Sequence, residues 1–295
     1  MRLLVASICL ALFGNASAAE TPSPTAPTMS SVLAESSPEE WIDLDPERTL
    51  VMQLETGRVV IELAPQFAPK HVANIIALVK GSYFSNSSIV RSQDNYVVQW
   101  GDPNADSKQA RSLGEAQAKL PAEFDRAADG LTFTALPDPD SYAAQVGFVD
   151  GFPVAREGER AWLTHCYGMV GAGRDNPADS SNGSSLYVVT GHSPRHLDRN
   201  ITVVGRVLEG MPLLSSLPRG TGPLGFFADP AQNVPIKYIH LASHEPEARR
   251  PRLQKLRSDS DSFRKLIAAR RSRHEEWFVH PVGRLELCNM ALPVR

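Results

Sequence analysis

The stretch from Ile89 to Pro103 holds the first side chains whose types and spacing could do chemistry. Arg91 stands five residues ahead of Tyr96-Val97-Val98, and Gln99 and a Gly101-Asp102-Pro103 turn close the run. Side chains alternate between faces along a strand, so Val97 and Gln99 are expected on one face and Tyr96 and Val98 on the other. A guanidinium beside apolar groups and one amide suits an uncharged, carbonyl-rich substrate. The competing reading is a hairpin whose arginine is merely solvated.

Other constellations carry less. His165, His192 and His196 have no local metal-ligand spacing, and Cys166 and Cys288 lie too far apart for a zinc knuckle, so no metal is expected. Ser184-Ser185 lacks the C-terminal glycine of a nucleophile elbow, which leaves a serine-hydrolase reading little support. Gly168, Gly171 and Gly173 do not complete a dinucleotide fingerprint. What remains fits chemistry without bond cleavage, or plain peptide binding.

Composition sets the frame. With 295 residues, 42% hydrophobic and a formal net charge of -3, the chain is ordinary globular material, with no bulk basicity to suggest nucleic acid. Residues 1–19 read as a secretory signal: Arg2, an apolar core from Leu3 to Phe13, then Ala16-Ser17-Ala18. No later apolar run reaches the roughly 20 residues of a membrane span. Export to the periplasm follows as an expectation, with two mature cysteines, Cys166 and Cys288. They are expected to bridge, two buried free thiols being the alternative.

Elements able to position Arg91 follow in order. Residues 20–47, rich in Pro, Ser, Thr and Ala, read as a flexible linker. Leu50 to Leu54 and Val59 to Leu63 form a hairpin pattern around Glu55-Thr56-Gly57-Arg58. Val72, Ile75, Ile76 and Val79 recur at helical spacing between Pro69 and Gly81, the expected start and stop. Residues 104–161 read as an insertion region broken into loops by Pro137, Pro139 and Pro153. It has a possible helix over Lys108–Leu120 and short strands at 132–136 and 145–149. Strands are expected at 186–190, 201–207 and 234–241, with a short helix over 209–217. From 243 to 295 the chain turns basic, with 12 Lys+Arg against 7 Asp+Glu, a net of +5. Leu253, Leu256, Phe263 and Ile267 predict one or two amphipathic helices packing back on the body, and 277–279 and 285–288 look strand-like.

Taken together, these motifs resemble the cyclophilins, the cyclosporin-binding peptidyl-prolyl cis-trans isomerases. Thr56-Gly57-Arg58-Val59-Val60-Ile61-Glu62-Leu63 is similar to their opening hairpin. Ala68-Pro69-Lys70-His71-Val72-Ala73-Asn74-Ile75 is similar to their first helix. Ile89-Val90-Arg91 stands at their Phe-His-Arg, and Tyr96 to Pro103 at their F-M-x-Q-G-G-D-P. Asn182 to Val188 sits on N-G-S-Q-F-F-I, and His196 to Met211 on the closing strand and helix.

The resemblance spans about 48–242. It implies a mainly β fold, an eight-stranded antiparallel barrel capped by two helices, here with a partly helical C-terminal extension at 243–295. It implies no cofactor and proline-containing unfolded or exported polypeptides as partners. Arg91 becomes the catalytic arginine and Gln99 its positioning partner. Tyr96, Val97, Ala172, Tyr187 and Leu197 would line the proline pocket and its rim, and Gly173 would present backbone groups. Ser185, His196 and Ile201 are substrate-binding positions that depart from the family's glutamine, aromatic, and histidine or tyrosine. Trp100 replaces a glycine, and the sequence offers no reason for it. A peptide-binding chaperone or scaffold of the same fold, without useful turnover, is the alternative reading.

Overall fold

The computed structural model describes residues 27–273, 275, 277–290 and 292–295; the stretch at 1–19 that is expected to be a leader lies outside them. In chain order the elements are α1 (Met29–Ala34), β1 (Trp41–Asp43), β2 (Thr49–Leu54), β3 (Gly57–Leu63), α2 (Pro69–Lys80), β4 (Ser87–Ser92) and β5 (Val97–Gly101). The middle of the chain adds β6 (Arg126–Ala127), β7 (Thr134–Ala135), β8 (Gln145–Val149), β9 (Phe152–Glu157) and β10 (Arg160–Leu163). Then come β11 (Met169–Ala172), β12 (Leu186–Val189), β13 (Val203–Glu209), α3 (Met211–Ser215), β14 (Val234–Leu241), β15 (Gln254–Leu256) and α4 (Asp261–Ser272).

Eight strands close an antiparallel barrel in the order β11-β12-β5-β4-β14-β2-β3-β13. Alternation fills its interior: Leu50, Met52 and Leu54 enter from β2, Val98 and Trp100 from β5, Val170 and Ala172 from β11, Leu186 and Val188 from β12. Val72, Ile75, Leu78 and Val79 of α2 and Leu214 of α3 reach the same core. Trp100, at the family's glycine position, is wholly buried beside Ile89 and Leu186, its register partners. Its bulk therefore fills the barrel and leaves the outer face untouched.

The first turn of α2 shows how the middle segment serves the barrel. Ala68 has no side chain with which to cap the helix. Glu123 does so from a distance: its carboxylate accepts from the Lys70 and His71 amides at 3.0 and 2.9 Å and pairs with the His71 ring at 2.7 Å. Burial pushes this carboxyl up, but the hydrogen bonds from His71 and the two amides outweigh it, so Glu123 is held below its ordinary value.

Three expectations are corrected here. The described part of the 20–47 linker is not a tether: residues 29–34 form α1 and 41–43 form β1, which pairs with β15. Its few apolar groups, Val32, Leu33 and Trp41, pack on a surface supplied from the far end of the chain. The strands expected in the 104–161 insertion at 132–136 and 145–149 are present as β7 and β8, and with β6, β9 and β10 they form a five-stranded sheet, β6-β10-β9-β8-β7. Lys108–Leu120 is not helical, because side chains take its backbone groups: Asp102 accepts from the Arg111 amide at 2.7 Å, and Asn74 pairs with both the amide and the carbonyl of Gln117. Residues 277–279 and 285–288 form no strand; of the one or two amphipathic helices expected in the basic extension, its described residues hold one α-helix, α4.

That sheet and the two chain ends make a second core. Phe148, Phe152, Trp162, Phe263 and Leu266 pack with Phe67 from the β3–α2 connection and Val203 from the barrel, and Phe148 meets Phe263 edge-on at 5.1 Å. Lys255 of β15 ties the layers together. Its buried ammonium donates to Glu62 of β3 at 2.7 Å, and to the Asp150 carboxylate and carbonyl at 2.7 and 2.9 Å. Cys166 and Cys288 are disulfide-bonded across a separation of 122 residues, which pins the tail to the segment before β11.

Two stability outcomes follow. Lys255→Met leaves Glu62 short of its closest partner inside the protein and should cost roughly 3 kcal/mol in urea unfolding, in the range for breaking a buried ion pair. Glu123 has a lowered folded pKa, so its contribution is present above pH 4.5, its ordinary value, and is lost as pH falls through the lowered one. Glu123→Gln should therefore lose about 1 kcal/mol at pH 7 and show a smaller further loss than the parent on acidification to pH 3.

Candidate active site

A β-bulge creates the site. Between β4 and β5, Ile89 pairs with Trp100 but Arg91 pairs with Gln99, so Val90 is the extra residue. Ile89 faces the barrel core. Plain alternation would send Arg91 inward as well. The bulge turns it outward, onto the face shared by Gln99 and Val97.

On that face Arg91 Nη1 donates to Gln99 Oε1 at 3.0 Å, and Gln99 Nε2 donates to Ser185 Oγ at 2.9 Å. The short Ser185 thus ends a chain of side-chain hydrogen bonds. Gly173 lies against it: its amide donates to the Ser185 carbonyl at 2.8 Å, and a Cβ there would sit 3.2 Å from Ser185 Oγ and 3.5 Å from Gln99 Nε2. Arg91 Nε donates to the Leu224 carbonyl at 2.7 Å and Nη2 to Gln93 Oε1. The guanidinium lies 5.8 Å from the Tyr96 ring and 5.4 Å from the Phe226 ring. Of its five N–H donors, three are engaged within the described residues and one on each terminal nitrogen is open. Burial pulls Arg91 below its ordinary value.

Beside the guanidinium is an apolar cluster of Val97, Tyr187 and Val189, against which Tyr96 and Ile201 pack. His196 stacks along Tyr96 at 6.2 Å, and Leu197 follows it in the Arg195–Leu197 3-10 turn. Burial raises the pKa of the Tyr96 phenol and pushes that of Tyr187 up much further. Both stay neutral and offer ring surface rather than charge.

Arg91, Gln99, Tyr96, Val97, Gly173, Ser185, Tyr187, His196 and Ile201 are therefore brought together. Two sequence expectations change. Tyr96 does not share a face with Val98, because β5 begins at Val97 and Tyr96 packs with the outer cluster. Ala172 does not line the outer cluster, since its side chain points into the barrel core with Val170. Gly171 is the β11 residue beneath the site: a Cβ there would come within 2.3 Å of the Tyr187 ring. Gly171, Gln93, Leu224 and Phe226 join the site without having been expected from the sequence. Gly171 has a signal in strand alternation, whereas the loop carrying Leu224 and Phe226 shows only turn residues.

The chain as a whole is similar to known proteins. The family model "Cyclophilin type peptidyl-prolyl cis-trans isomerase/CLD" matches residues 49–241. A "Probable peptidyl-prolyl cis-trans isomerase" of Brucella suis is 27% identical over 177 residues, 60% of this chain and 74% of that protein. The human "Peptidyl-prolyl cis-trans isomerase-like 3" is 23% identical over 172 residues, 58% of this chain and 82% of that one. The crystal structure of cyclophilin AquaCyp293 from Hirschia baltica superimposes with a TM-score of 0.68 at 26% identity. It covers 91% of this chain and 97% of its own. That coverage reaches well past the matched 49–241, so the architecture is shared beyond the barrel. With the closed barrel, the outward arginine and its glutamine already in place, the chain belongs to the cyclophilin-type peptidyl-prolyl cis-trans isomerases.

Proposed function

We propose that the protein isomerises X-Pro bonds in exported polypeptides, with Arg91 acting at the prolyl nitrogen. The observation that carries this reading is the pair of open Arg91 N–H donors next to an apolar surface of Val97, Tyr187, Tyr96 and Ile201. Amide resonance sets the rotation barrier at roughly 18–20 kcal/mol. Twisting the bond localises the nitrogen lone pair, and a donor placed there interacts with the twisted state more than with either planar one. The apolar surface holds the proline ring while the preceding carbonyl turns. Gln99, fixed by Ser185, keeps the guanidinium in register.

An exported, periplasmic setting is supported by the 1–19 leader pattern and by the Cys166–Cys288 bridge, which suits an oxidising compartment. Clients would then be unfolded exported chains.

Arg91→Lys keeps a charge but cannot reproduce the planar fork that holds Gln99, Gln93 and Leu224 together. In a protease-coupled assay on a tetrapeptide with one Ala-Pro bond, Arg91→Lys and Arg91→Ala should each lower kcat/KM by about 100-fold, or roughly 2.7 kcal/mol. Unchanged turnover in Arg91→Ala removes Arg91 from the reaction. Peptide binding without turnover in the parent protein would instead support the scaffold reading. Gly171→Ala, by pushing on the Tyr187 ring, should lower kcat/KM by about 10-fold, measured in the same assay and corrected for folded fraction.

A further inference from the structure

Behind the apolar floor runs a chain of buried polar groups for which the reaction described above has no use. Tyr187 Oη lies 2.8 Å from His165 Nε2. His165 Nδ1 lies 2.9 Å from Asp198 Oδ1, and the His165 amide donates to that same oxygen at 2.9 Å. A carboxylate only accepts, so Nδ1 carries a proton, and in that tautomer Nε2 accepts from the Tyr187 hydroxyl. Arg195 Nε donates to Asp198 Oδ2 at 2.5 Å, and its two terminal nitrogens donate to the Asp140 carboxylate at 3.0 and 3.1 Å. Tyr142 covers the Arg195 guanidinium at 5.0 Å. The side chains of His165, Asp198, Arg195 and Asp140 are 1%, 7%, 3% and 4% exposed, so solvent does not satisfy this chain.

A nucleophilic triad is not the reading this supports. Burial pushes the Tyr187 phenol far up, which makes it a poor nucleophile. The geometry suits restraint instead. The Tyr187 ring rests on Gly171 on one side, where no Cβ would fit, and its hydroxyl is tied to His165. Asp198, which holds His165, directly follows Leu197, so one carboxylate fixes both the floor and the turn carrying His196 and Leu197. A phenylalanine at 187 would fill the same volume without this tether. Burying so many charges costs desolvation, and a hydrocarbon substitute would do as well for stability alone.

We propose that His165, backed by Asp198, is a positioning residue that fixes the prolyl-binding floor through the Tyr187 hydroxyl. Arg195 and Asp140 extend that control to the inserted sheet. The inference rests on the reading of this surface as the prolyl site. A floor that holds proline equally in the ground and twisted states affects KM rather than kcat.

The test measures Kd, KM and kcat for a tetrapeptide with one Ala-Pro bond, using full-length protein. Tyr187→Phe, which preserves the ring, should raise Kd and KM about 5-fold with kcat within 2-fold of the parent. His165→Asn, too short to reach Tyr187, should do the same, and His165→Gln, long enough to accept from the hydroxyl, should recover most of the loss. The Tyr187→Phe/His165→Asn double variant should be no worse than either single one. Asp140→Asn should shift KM about 2-fold in the same direction. Lost folding alone would lower apparent kcat and leave KM in place. Unchanged Kd in Tyr187→Phe, or losses that multiply in the double variant, overturns the proposal. Because Kd is read without turnover, absent isomerase activity would count against the proposed function and leave this measurement decisive.

Discussion

One extra residue in one strand decides where the chemistry of this molecule sits. Val90 bulges out of the β4–β5 ladder, and every residue of β4 after it changes face. Arg91 leaves the barrel interior and meets Gln99, while Ser92 takes the inward place opposite Val98, fully buried. In a closed barrel there is no edge at which such a shift could be absorbed elsewhere. The register of β5 against β12 then sets Gln99 beside Tyr187 on the outer face, with Trp100 against Leu186 on the inner one. The bulge thus brings the guanidinium onto the face where the β5–β12 register already places the amide and the apolar floor.

The rest of the chain supports that face from behind. The middle segment caps α2 through Glu123, and it supplies Asp140 to the polar chain that ends on Tyr187. The basic extension contributes Lys255 to Glu62 inside the protein and Cys288 to the residue after His165. A surface layer with no role in the barrel would not need to bury an ammonium group and a disulfide against it. The second layer therefore continues the scaffold that fixes the site, and its coverage in the Hirschia baltica cyclophilin is consistent with a shared architecture.

Much of this was legible in the sequence where a signal is local. The α2 pattern of Val72, Ile75 and Val79 between Pro69 and Gly81, the β2–β3 hairpin, and the strands at 186–189 and 234–241 all follow from periodicity and turn residues. Arg91, Gln99, Val97 and Tyr187 were found because they lie in contiguous motifs. What escaped depends on partners far away in sequence. Val32 and Trp41 are too few to order a Ser/Pro-rich segment until α4 and β15 offer a surface. In the inserted sheet, β7 and β8 fall in stretches that read as strands, whereas β6, two residues long, carries no readable alternation. For His165 the sequence raises only a metal-ligand question, since nothing local announces Asp198 or Tyr187 as its neighbours. Ala172, which the resemblance places in the pocket, faces the barrel core, and its neighbour Gly171 faces Tyr187, since adjacent strand residues point opposite ways.

The central claim is that the open Arg91 donors act on the prolyl nitrogen of a ring seated on Val97 and Tyr187. A crystal structure with a short Ala-Pro peptide tests it most directly. The account predicts the proline ring on Val97, Tyr187 and Ile201, with an Arg91 terminal nitrogen within about 3.2 Å of the prolyl nitrogen or the adjoining carbonyl. A peptide bound with its proline away from this cluster, or with Arg91 still turned wholly toward Leu224, Gln93 and Gln99, would contradict it.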